Sequence, residues 1–421
     1  MKRYSEYKDS GVKWIGEIPG HWKICRTRYL CNINTGDKDT VMKEDNGKYP
    51  FYVRSPKIER INTFSYDGEA ILMAGDGVGA GKVFHYANGK FDYHQRVYNM
   101  HNICGVSGKF MFYFIRDQFH YAMEEKNAKS TVDSVRLPWL KAFPIAIPAQ
   151  EEQEAIVTYL DTKAAKIDEY ISIAEKKIAA LEELKQTIIA EAVTRGIHKD
   201  VPMKDSGVKW IGMIPEHWKI VAIKRFSEII LGKMLDKTNG NEQQYLCAKD
   251  VHFDEINLTD LKKMYFSPEE QSKYRVRKGD LLVVEGGACG TCAILRTDVN
   301  DIFIQNSIMI VRGDKTKCVN DFIAYSIQAL VQKGYTESVC NKATIMHFTK
   351  EKLGNTLISL PPLPEQQEIV TYLDSKVANI NQLCQAERSQ IEKLKEYKQR
   401  LISDVVTGKV KVTNDSLNGR V

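Results

Sequence analysis

Residues 8–24 read KDSGVKWIGEIPGHWKI, and residues 204–220 repeat this stretch as KDSGVKWIGMIPEHWKI. Fifteen of the 17 positions are identical, at an offset of 196 residues. Self-similarity at a fixed distance indicates copies of one structural unit in tandem. We therefore divide the chain of 421 residues into two copies, at roughly 1–198 and 199–421.

A second repeated stretch lies towards the end of each copy. Residues 148–161 read PAQEEQEAIVTYLD and residues 361–374 read PPLPEQQEIVTYLD, at an offset of 213. The larger offset makes the middle of the second copy 17 residues longer. The ends of the two copies are thus alike, whereas their middles differ.

Each copy ends in a stretch that predicts one helix of a coiled coil, because apolar or small residues step by four and three. The seam positions are Leu160, Ala164, Ile167, Ile171, Ala174, Ile178, Leu181, Leu184, Ile188 and Ala192, then Leu373, Val377, Ile380, Cys384, Glu387, Ile391, Leu394, Tyr397, Leu401 and Val405. The pattern changes phase once, where it continues through Leu184, Ile188 and Ala192, and only Glu387 breaks it. About 43 residues at roughly 1.5 Å each would extend about 65 Å.

The middles, 21–147 and 217–360, are predicted to be mixed α/β domains. Short apolar runs between Gly, Asn and Asp turns predict strands at 70–73, 281–284 and 307–311, and helices are expected near 109–126 and 320–333. A weak similarity between the two middles places Gly75 opposite Gly286, Gln95 opposite Gln305, and Lys129 opposite Lys342. The middles are therefore expected to be homologous folds with different surfaces.

Composition indicates a folded, water-soluble protein with 27% charged and 43% hydrophobic residues. A net charge of +6 and a pI near 8.6 permit an anionic partner without indicating one. No apolar run is long enough to span a membrane and the N-terminus lacks a signal-peptide core, so we expect a cytoplasmic location. The nine scattered cysteines are expected to be reduced thiols.

Two local motifs resemble cofactor sites but fail on spacing. A phosphate-binding loop ending at Gly81-Lys82 would need Gly at 76 and Ser or Thr at 83, where the sequence has Asp76 and Val83. This loop is interpreted as a tight turn between strands, with close approach to a DNA phosphate as the alternative. Cys289 and Cys292 lack the second ligand pair of a zinc site and are interpreted as packing residues.

His21 and His217 precede Trp22 and Trp218 in the repeated segment, with no Ser, Cys or carboxylate partner fixed by a motif. We interpret this segment as an anchor against the helices or against a partner. No catalytic or metal-binding residue is assigned.

The chain resembles the specificity (S) subunits of type I restriction-modification systems over essentially its full length. The motif WIGxIPxHW before each variable middle, and PPLPEQQEIVTYLD after the second, carry this resemblance. It implies an α+β fold with two α/β target recognition domains separated by two long antiparallel coiled-coil helices, in a pseudo-twofold internal repeat. The expected domains are an N-terminal conserved segment (1–20), target recognition domain 1 (21–147), a central conserved helix (148–198), a repeated conserved segment (199–216), target recognition domain 2 (217–360) and a C-terminal conserved helix and tail (361–421).

The resemblance further implies a non-catalytic reader of a bipartite, asymmetric sequence in double-stranded DNA, with one recognition domain per half-site. Two adenine methyltransferase (M) subunits would dock on the conserved helices and restriction (R) subunits would join them, so S-adenosylmethionine, ATP and Mg²⁺ would be held by partners and no cofactor by this chain. Alike ends and unlike middles fit this scheme. The alternatives are a coiled-coil scaffold without DNA binding, and an enzyme acting alone.

Candidates for DNA contact are polar residues at predicted strand ends or turns, since Lys and Arg bind phosphates and amide side chains read base edges. They are Arg54, Lys82, Gln95, Arg96 and Lys129 in the first copy, and Lys249, Gln305, Asn306 and Lys342 in the second. The alternative for Gln95 and Gln305 is that they satisfy buried backbone groups. The resemblance fixes none of these contacts.

Overall fold

The computed structural model describes residues 2–127, 134–198, 200–235, 240, 242–253, 255–340 and 346–413. The chain divides into two compact units. Unit 1 comprises Met1–Ala174 and Arg388–Val421, and unit 2 comprises Glu175–Glu387. Each unit thus contains one middle domain and a part of each long helix.

The first copy contains ten strands and three α-helices among its described residues. They are β1 (Tyr7–Asp9), β2 (Glu17–Pro19), β3 (Lys23–Arg26), β4 (Asn32–Thr35), β5 (Tyr49–Tyr52), β6 (Glu59–Ile61), β7 (Tyr66–Ala74), β8 (Phe84–Tyr93), β9 (Val97–His101), α1 (Gly108–Asn127), α2 (Leu137–Ala142), β10 (Pro144–Ile147) and α3 (Gln150–Arg195).

The second copy repeats this order with additions. Its elements are β11 (Met203–Asp205), β12 (Met213–Pro215), β13 (Lys219–Ala222), β14 (Ser227–Leu231), β15 (Glu242–Leu246), β16 (Val251–His252), β17 (Glu255–Ile256), β18 (Lys262–Tyr265), α4 (Pro268–Tyr274), β19 (Leu281–Val284), β20 (Cys292–Ile294), β21 (Ile302–Ile304), β22 (Ile308–Gly313), α5 (Asn320–Gln332), α6 (Tyr335–Val339), α7 (Lys350–Asn355), β23 (Leu357–Leu360) and α8 (Leu363–Val406). The strands predicted at 70–73, 281–284 and 307–311 and the helices near 109–126 and 320–333 are confirmed.

Equivalent strands follow one order in the two units. In unit 1 the order is β4-β9-β7-β8-β5-β6, with only β8 and β5 parallel. In unit 2 the corresponding strands form two sheets, β14-β22-β19-β20 and β21-β15-β18, with only β21 and β15 parallel. The ten-residue strand β8 thus corresponds to two short strands, β20 and β21, because residues 295–301 leave the sheet between them.

The central strands are buried on both faces, one of them beneath a helix, and this explains their continuous apolar sequence. Residues 70–74 of β7 and 281–284 of β19 are buried. In unit 1, α1 packs Phe110 and Phe114 into the same core as Ile71 of β7. Phe322 of α5 has the equivalent place in the core of unit 2.

Within each unit, α3 and α8 run antiparallel. In unit 1 Lys398 Nζ lies 2.6 Å from Asp168 Oδ2. In unit 2 Lys185 Nζ donates to Asn381 Oδ1 at 3.1 Å, and Lys177 pairs with Glu387. The predicted fold class, with two α/β domains and two long antiparallel helices, is confirmed.

Two predicted seam positions are wrong. Leu184 and Tyr397 are both 48% exposed. They are equivalent residues of the two copies, 213 positions apart, and lie where the apolar pattern changes phase. The buried stripe includes instead Ile189 on α3 and its equivalent Ile402 on α8. A helix of 3.6 residues per turn drifts out of a strict heptad, which turns this position outwards.

None of the described helices combines the length and the apolar character that crossing a membrane requires.

Candidate nucleic-acid interface

The repeated segment anchors each domain to the first turn of its long helix, as predicted. In unit 1 the fully buried Trp22 donates from Nε1 to Glu152 Oε2 at 3.3 Å. His21 Nε2 lies 2.9 Å from the same oxygen. A carboxylate only accepts hydrogen bonds, so this histidine nitrogen carries the proton.

Unit 2 repeats this arrangement in full. Trp218 Nε1 donates to Glu365 Oε1 at 3.1 Å, and His217 Nε2 lies 2.8 Å from Glu365 Oε2. No motif fixed a carboxylate beside these histidines, and the sequence analysis missed this contact. Its signal was present in the sequence, because Glu152 and Glu365 are equivalent residues of the second repeated stretch.

The next residue of that stretch fixes the helix that covers the sheet. Buried Gln153 accepts from Ser107 N–H at 2.7 Å and donates to Pro148 O at 2.9 Å. Its equivalent Gln366 accepts from Val319 N–H at 3.0 Å and donates to Pro361 O at 2.8 Å. Ser107 and Val319 directly precede α1 and α5, so each glutamine satisfies a backbone donor at a helix start.

A tyrosine on each covering helix completes the duplicated contacts. Tyr113 of α1 donates to Asp161 Oδ1 at 2.7 Å, and Tyr325 of α5 donates to Asp374 Oδ1 at 2.7 Å. We call these histidine, tryptophan, glutamate, glutamine, tyrosine and aspartate contacts the frame. The frame explains why the two flanking stretches are alike in both copies, since the same side chains hold both domains.

In unit 1, four chain segments meet at one end of the main sheet, where its strands end or begin. Three backbone hydrogen bonds join them, from His94 N–H to Tyr52 O (3.0 Å), from Gln95 N–H to Lys38 O (2.8 Å) and from Gly75 N–H to Arg96 O (2.8 Å). The turn 94–96 therefore lies between the segments that carry Arg54 and Asp76. We call this region the strand-end edge of unit 1.

Three of the predicted contact residues come together there. Arg54 Nη1 donates to Asp76 Oδ1 at 3.0 Å, and Arg96 Nε lies 3.5 Å from Asp76 Oδ2. Gln95 is exposed and donates from Nε2 to Asp39 Oδ2 at 3.1 Å. Its amide thus bonds to a side chain, and the alternative that it satisfies buried backbone does not hold.

Buried His94 stabilises the turn 94–96 through a hydrogen bond to its backbone. Its Nδ1 accepts a hydrogen bond from Arg96 N–H at 2.9 Å. Burial lowers the pKa of His94; Arg54 and Arg96 act in the same direction, against Asp39 and Asp76. The neutral ring, which can accept at Nδ1, is the form that the fold stabilises.

Lys82 is exposed on the connection from β7 to β8. Gly81 N–H bonds to Ala74 O at 3.0 Å, and Lys82 N–H bonds to Gly79 O at 3.0 Å. The Gly-rich stretch is thus a tight turn between two strands, as interpreted. Lys129 and Lys342 lie outside the described residues.

The strand-end edge of unit 2 has the same backbone pattern with different side chains. Its three hydrogen bonds run from Gln305 N–H to Leu246 O (3.0 Å), from Asn306 N–H to Lys233 O (2.8 Å) and from Glu285 N–H to Ser307 O (2.8 Å). His94 therefore corresponds to Gln305, and Gln95 to Asn306. The predicted pairing of Gln95 with Gln305 is wrong by one residue.

Side chains support this register. Gln305 Oε1 accepts from Ser307 N–H at 3.2 Å, just as His94 Nδ1 accepts from the backbone two residues later. The side-chain oxygen of Gln305 thus accepts from a backbone N–H. Lys249 is near the same edge, since Ala248 N–H donates to Ser307 Oγ at 3.0 Å. Lys249 Nζ lies 3.8 Å from Asp250 Oδ1.

Exposed apolar side chains beside both edges were missed by the sequence analysis. Val41 and Met42 follow Lys38 and are 86% and 51% exposed, while Met234 and Leu235 follow Lys233 and are 73% and 67% exposed. Exposed apolar groups beside polar ones are typical of interaction sites. The only sequence signal was an apolar pair after a turn, outside any strand pattern.

Cys289 and Cys292 are buried packing residues. Cys289 Sγ donates to Met346 O at 3.0 Å, and Cys292 Sγ contacts Ala324 O at 3.6 Å. Burial raises the pKa of the Cys289 thiol, which opposes the thiolate that a metal requires. In the part of the chain that the structure describes, no three His, Cys, Asp or Glu side chains are placed to hold a metal ion.

Comparisons with known proteins agree with this architecture. The type I restriction enzyme MjaVIII specificity subunit of Methanocaldococcus jannaschii is 24% identical over 97% of this chain and 98% of its own length. The EcoDI specificity subunit of Escherichia coli is 26% identical over 185 residues, which are 44% of this chain and 40% of that relative.

Solved structures share the fold. A chain from a study of complex assembly and conformational transition of the type I R-M system has a TM-score of 0.68 at 18% identity, over 93% of this chain and 99% of that one. The HsdS subunit from Thermoanaerobacter tengcongensis gives 0.50 at 17% identity, over 93% and 98%. The model of the type I restriction modification DNA specificity domain matches residues 19–183 and 215–393. Because these two matches cover most of the sequence, the chain belongs to the type I restriction-modification specificity family and carries two of its DNA recognition domains.

Proposed function

We propose that this chain is the non-catalytic specificity subunit of a type I restriction-modification complex and reads a bipartite, asymmetric DNA target. One observation carries the proposal. The frame holds both recognition domains through the same side chains, whereas their strand-end edges present different ones. Identical support with unlike reading surfaces suits one domain per half-site.

The expected DNA contacts follow from the chemistry at these edges. Arg54, Lys82, Arg96 and Lys249 are proposed to bind phosphates or base edges, together with Lys129 and Lys342 outside the described residues. Gln95, Gln305 and Asn306 are proposed to face bases, because carboxamides both donate and accept. The net charge of +6 is modest, so we expect weak DNA binding by this chain alone.

Partner docking is proposed on the two long helices. Exposed apolar residues recur there at equivalent positions, with Tyr170 of α3 matching Leu383 of α8 and Leu184 matching Tyr397. From the neighbouring contacts between Asp168 and Lys398 and between Lys185 and Asn381, Tyr170 and Tyr397 are expected at a similar level of the helix pair in unit 1, and Leu184 and Leu383 in unit 2. We assign one methyltransferase subunit to each pair, and restriction subunits would join this assembly.

Cofactors are assigned to the partner subunits. S-adenosylmethionine would be bound by the methyltransferase subunits, and ATP with Mg²⁺ by the restriction subunits. This chain would then contribute sequence reading and assembly only.

The experiment is a fluorescence-anisotropy titration of target duplex with the reconstituted complex of this chain and its methyltransferase, at several salt concentrations. The logarithm of the association constant should fall linearly with the logarithm of salt, with a slope of about −0.9 per phosphate contacted. Lys82→Gln and Lys249→Gln should each reduce that slope by about one, whereas Lys176→Gln on the exposed face of α3 should not. Absent or salt-insensitive binding would favour the scaffold without DNA instead.

A further inference from the structure

Asp76 stands between two arginines at the strand-end edge of unit 1. One carboxylate oxygen accepts from Arg54 Nη1 at 3.0 Å, and the other lies 3.5 Å from Arg96 Nε. The two guanidinium groups come from different segments, one after β5 and one before β9. Both remain accessible, with side-chain exposures of 46% and 65%.

The stability of the fold does not explain why Asp76 pairs with two arginines. Ion pairs between exposed side chains contribute little to stability because water screens them and ordering the side chains costs entropy. Two arginines at one edge also repel each other, and the shared carboxylate offsets that repulsion. The ion pairs leave nitrogens of both guanidinium forks for another acceptor, since each arginine carries five N–H donors.

We propose that Asp76 is a positioning residue that holds Arg54 and Arg96 in the geometry for reading guanine, so that the half-site of the first recognition domain contains G·C pairs at the positions they contact. This inference rests on the proposed function. Arginine donates two parallel hydrogen bonds to O6 and N7 of guanine in the major groove, and no other base offers that pair of acceptors. The carboxylate fixes the orientation of each guanidinium group. Each arginine side chain therefore loses less conformational entropy when it binds DNA.

The second recognition domain provides an internal comparison. Gln305, Asn306 and Ser307 occupy the turn that carries His94, Gln95 and Arg96 in the first domain. This turn has no guanidinium group, so discrimination in the second half-site does not depend on Asp76. The two half-sites are therefore read by different chemistry.

The test uses the complex of this chain with its methyltransferase subunits. The probes are the duplex target identified by mapping methylated adenines, duplexes with each base pair of the first half-site replaced, and a duplex of equal length without the target. The variants are Arg54→Lys, Arg96→Lys and Asp76→Asn. The matched control is Asp301→Asn in the second domain, where Arg275 Nη2 lies 2.9 Å from Asp301 Oδ1 in another exposed pair.

Each lysine variant should lose about 5- to 150-fold in discrimination at one G·C pair of the first half-site. Asp76→Asn should lose up to about tenfold at the same pairs, while its affinity for the non-target duplex rises because a negative charge near the phosphates is removed. A loss of folded structure would lower both affinities together. The control should change neither.

A first half-site without G·C pairs, or undiminished discrimination in all three variants, would overturn this inference and leave the proposed function intact. Equal losses on target and non-target duplexes in Asp76→Asn would assign that residue to folding alone. A wild-type complex without any sequence preference would instead contradict the proposed function.

Discussion

The indole nitrogen of Trp22 donates a hydrogen bond to Oε2 of Glu152 at 3.3 Å, and this contact ties the first repeated segment to the first turn of α3. Trp22 belongs to the first repeated stretch and Glu152 to the second, 130 positions further along the chain. Their counterparts in the second copy make the same contact. The frame therefore has a position at which each domain can be loosened separately.

Replacing the carboxylate should destabilise the domain it holds. Glu152→Ala leaves the N–H of a fully buried tryptophan without an acceptor, which costs about 1 to 3 kcal/mol in the free energy of unfolding. Glu365→Ala should act likewise in unit 2. Chemical denaturation followed by tryptophan fluorescence measures both. Glu151→Ala, on an exposed neighbour, is the control, and an equal effect there would show that the helix dipole and not the indole matters.

Glycine at the end of α8 should be indispensable. Gly408 has φ of +74°, and an added Cβ would lie 2.4 Å from Pro19 Cδ. Gly207 has a similar φ of +69° but open space around it. Gly408→Ala should therefore cost more than the roughly 1 to 2 kcal/mol of backbone strain expected for Gly207→Ala. Thermal unfolding of the two variants compares them, and equal losses would show that the close approach is relieved.

Stability should fall in mild acid because of His94. Its pKa is lowered in the folded state, so the unfolded chain binds the proton more readily, and the free energy of unfolding decreases as pH drops below the ordinary value of 6.5. His94→Gln should weaken this dependence, because Gln305 shows that glutamine satisfies the equivalent backbone N–H. Melting temperatures between pH 5 and 7.5 test this. His85, whose pKa burial also lowers, should supply part of the remaining slope.

Charged substitutions on the long helices should separate docking from folding. Leu184→Glu with Leu383→Glu should change stability by no more than about 0.5 kcal/mol per site, since both side chains are exposed. The complex should then retain one methyltransferase subunit in place of two, as native mass spectrometry would show. Gln186→Glu, also exposed on α3, is the control. Unchanged stoichiometry in the double variant would remove these residues from the docking surface.

Much of the fold followed from the duplication, because residues that recur at a fixed offset must serve a common structural role. The anchoring of the tryptophans was predictable in this way, whereas the long helices and the central strands were predicted from their apolar patterns. The contact between Trp22 and Glu152 was not, since pairing across the sequence depends on the tertiary fold. The sequence shows the phase change at Leu184. That this side chain faces solvent depends on how the two helices pack.

The strand-end edges show a second limit of the sequence. Aligning the Gly-rich turns placed Gln95 opposite Gln305, yet the backbone hydrogen bonds of the two domains show that Gln305 is equivalent to His94. In strands a shift of one residue reverses which side chains face the core, so only the ladder could fix the register. Asp76 was noticed as a departure from a phosphate-loop motif, and its role between two arginines required three segments to be brought together.

The most direct measurement is the map of methylated adenines in a host that expresses this chain with residues 21–147 replaced by the equivalent domain of a relative. If each recognition domain reads one half-site, one half of the methylated target should change while the other half remains as before. A target that stays wholly unchanged, or that changes in both halves, would contradict the account.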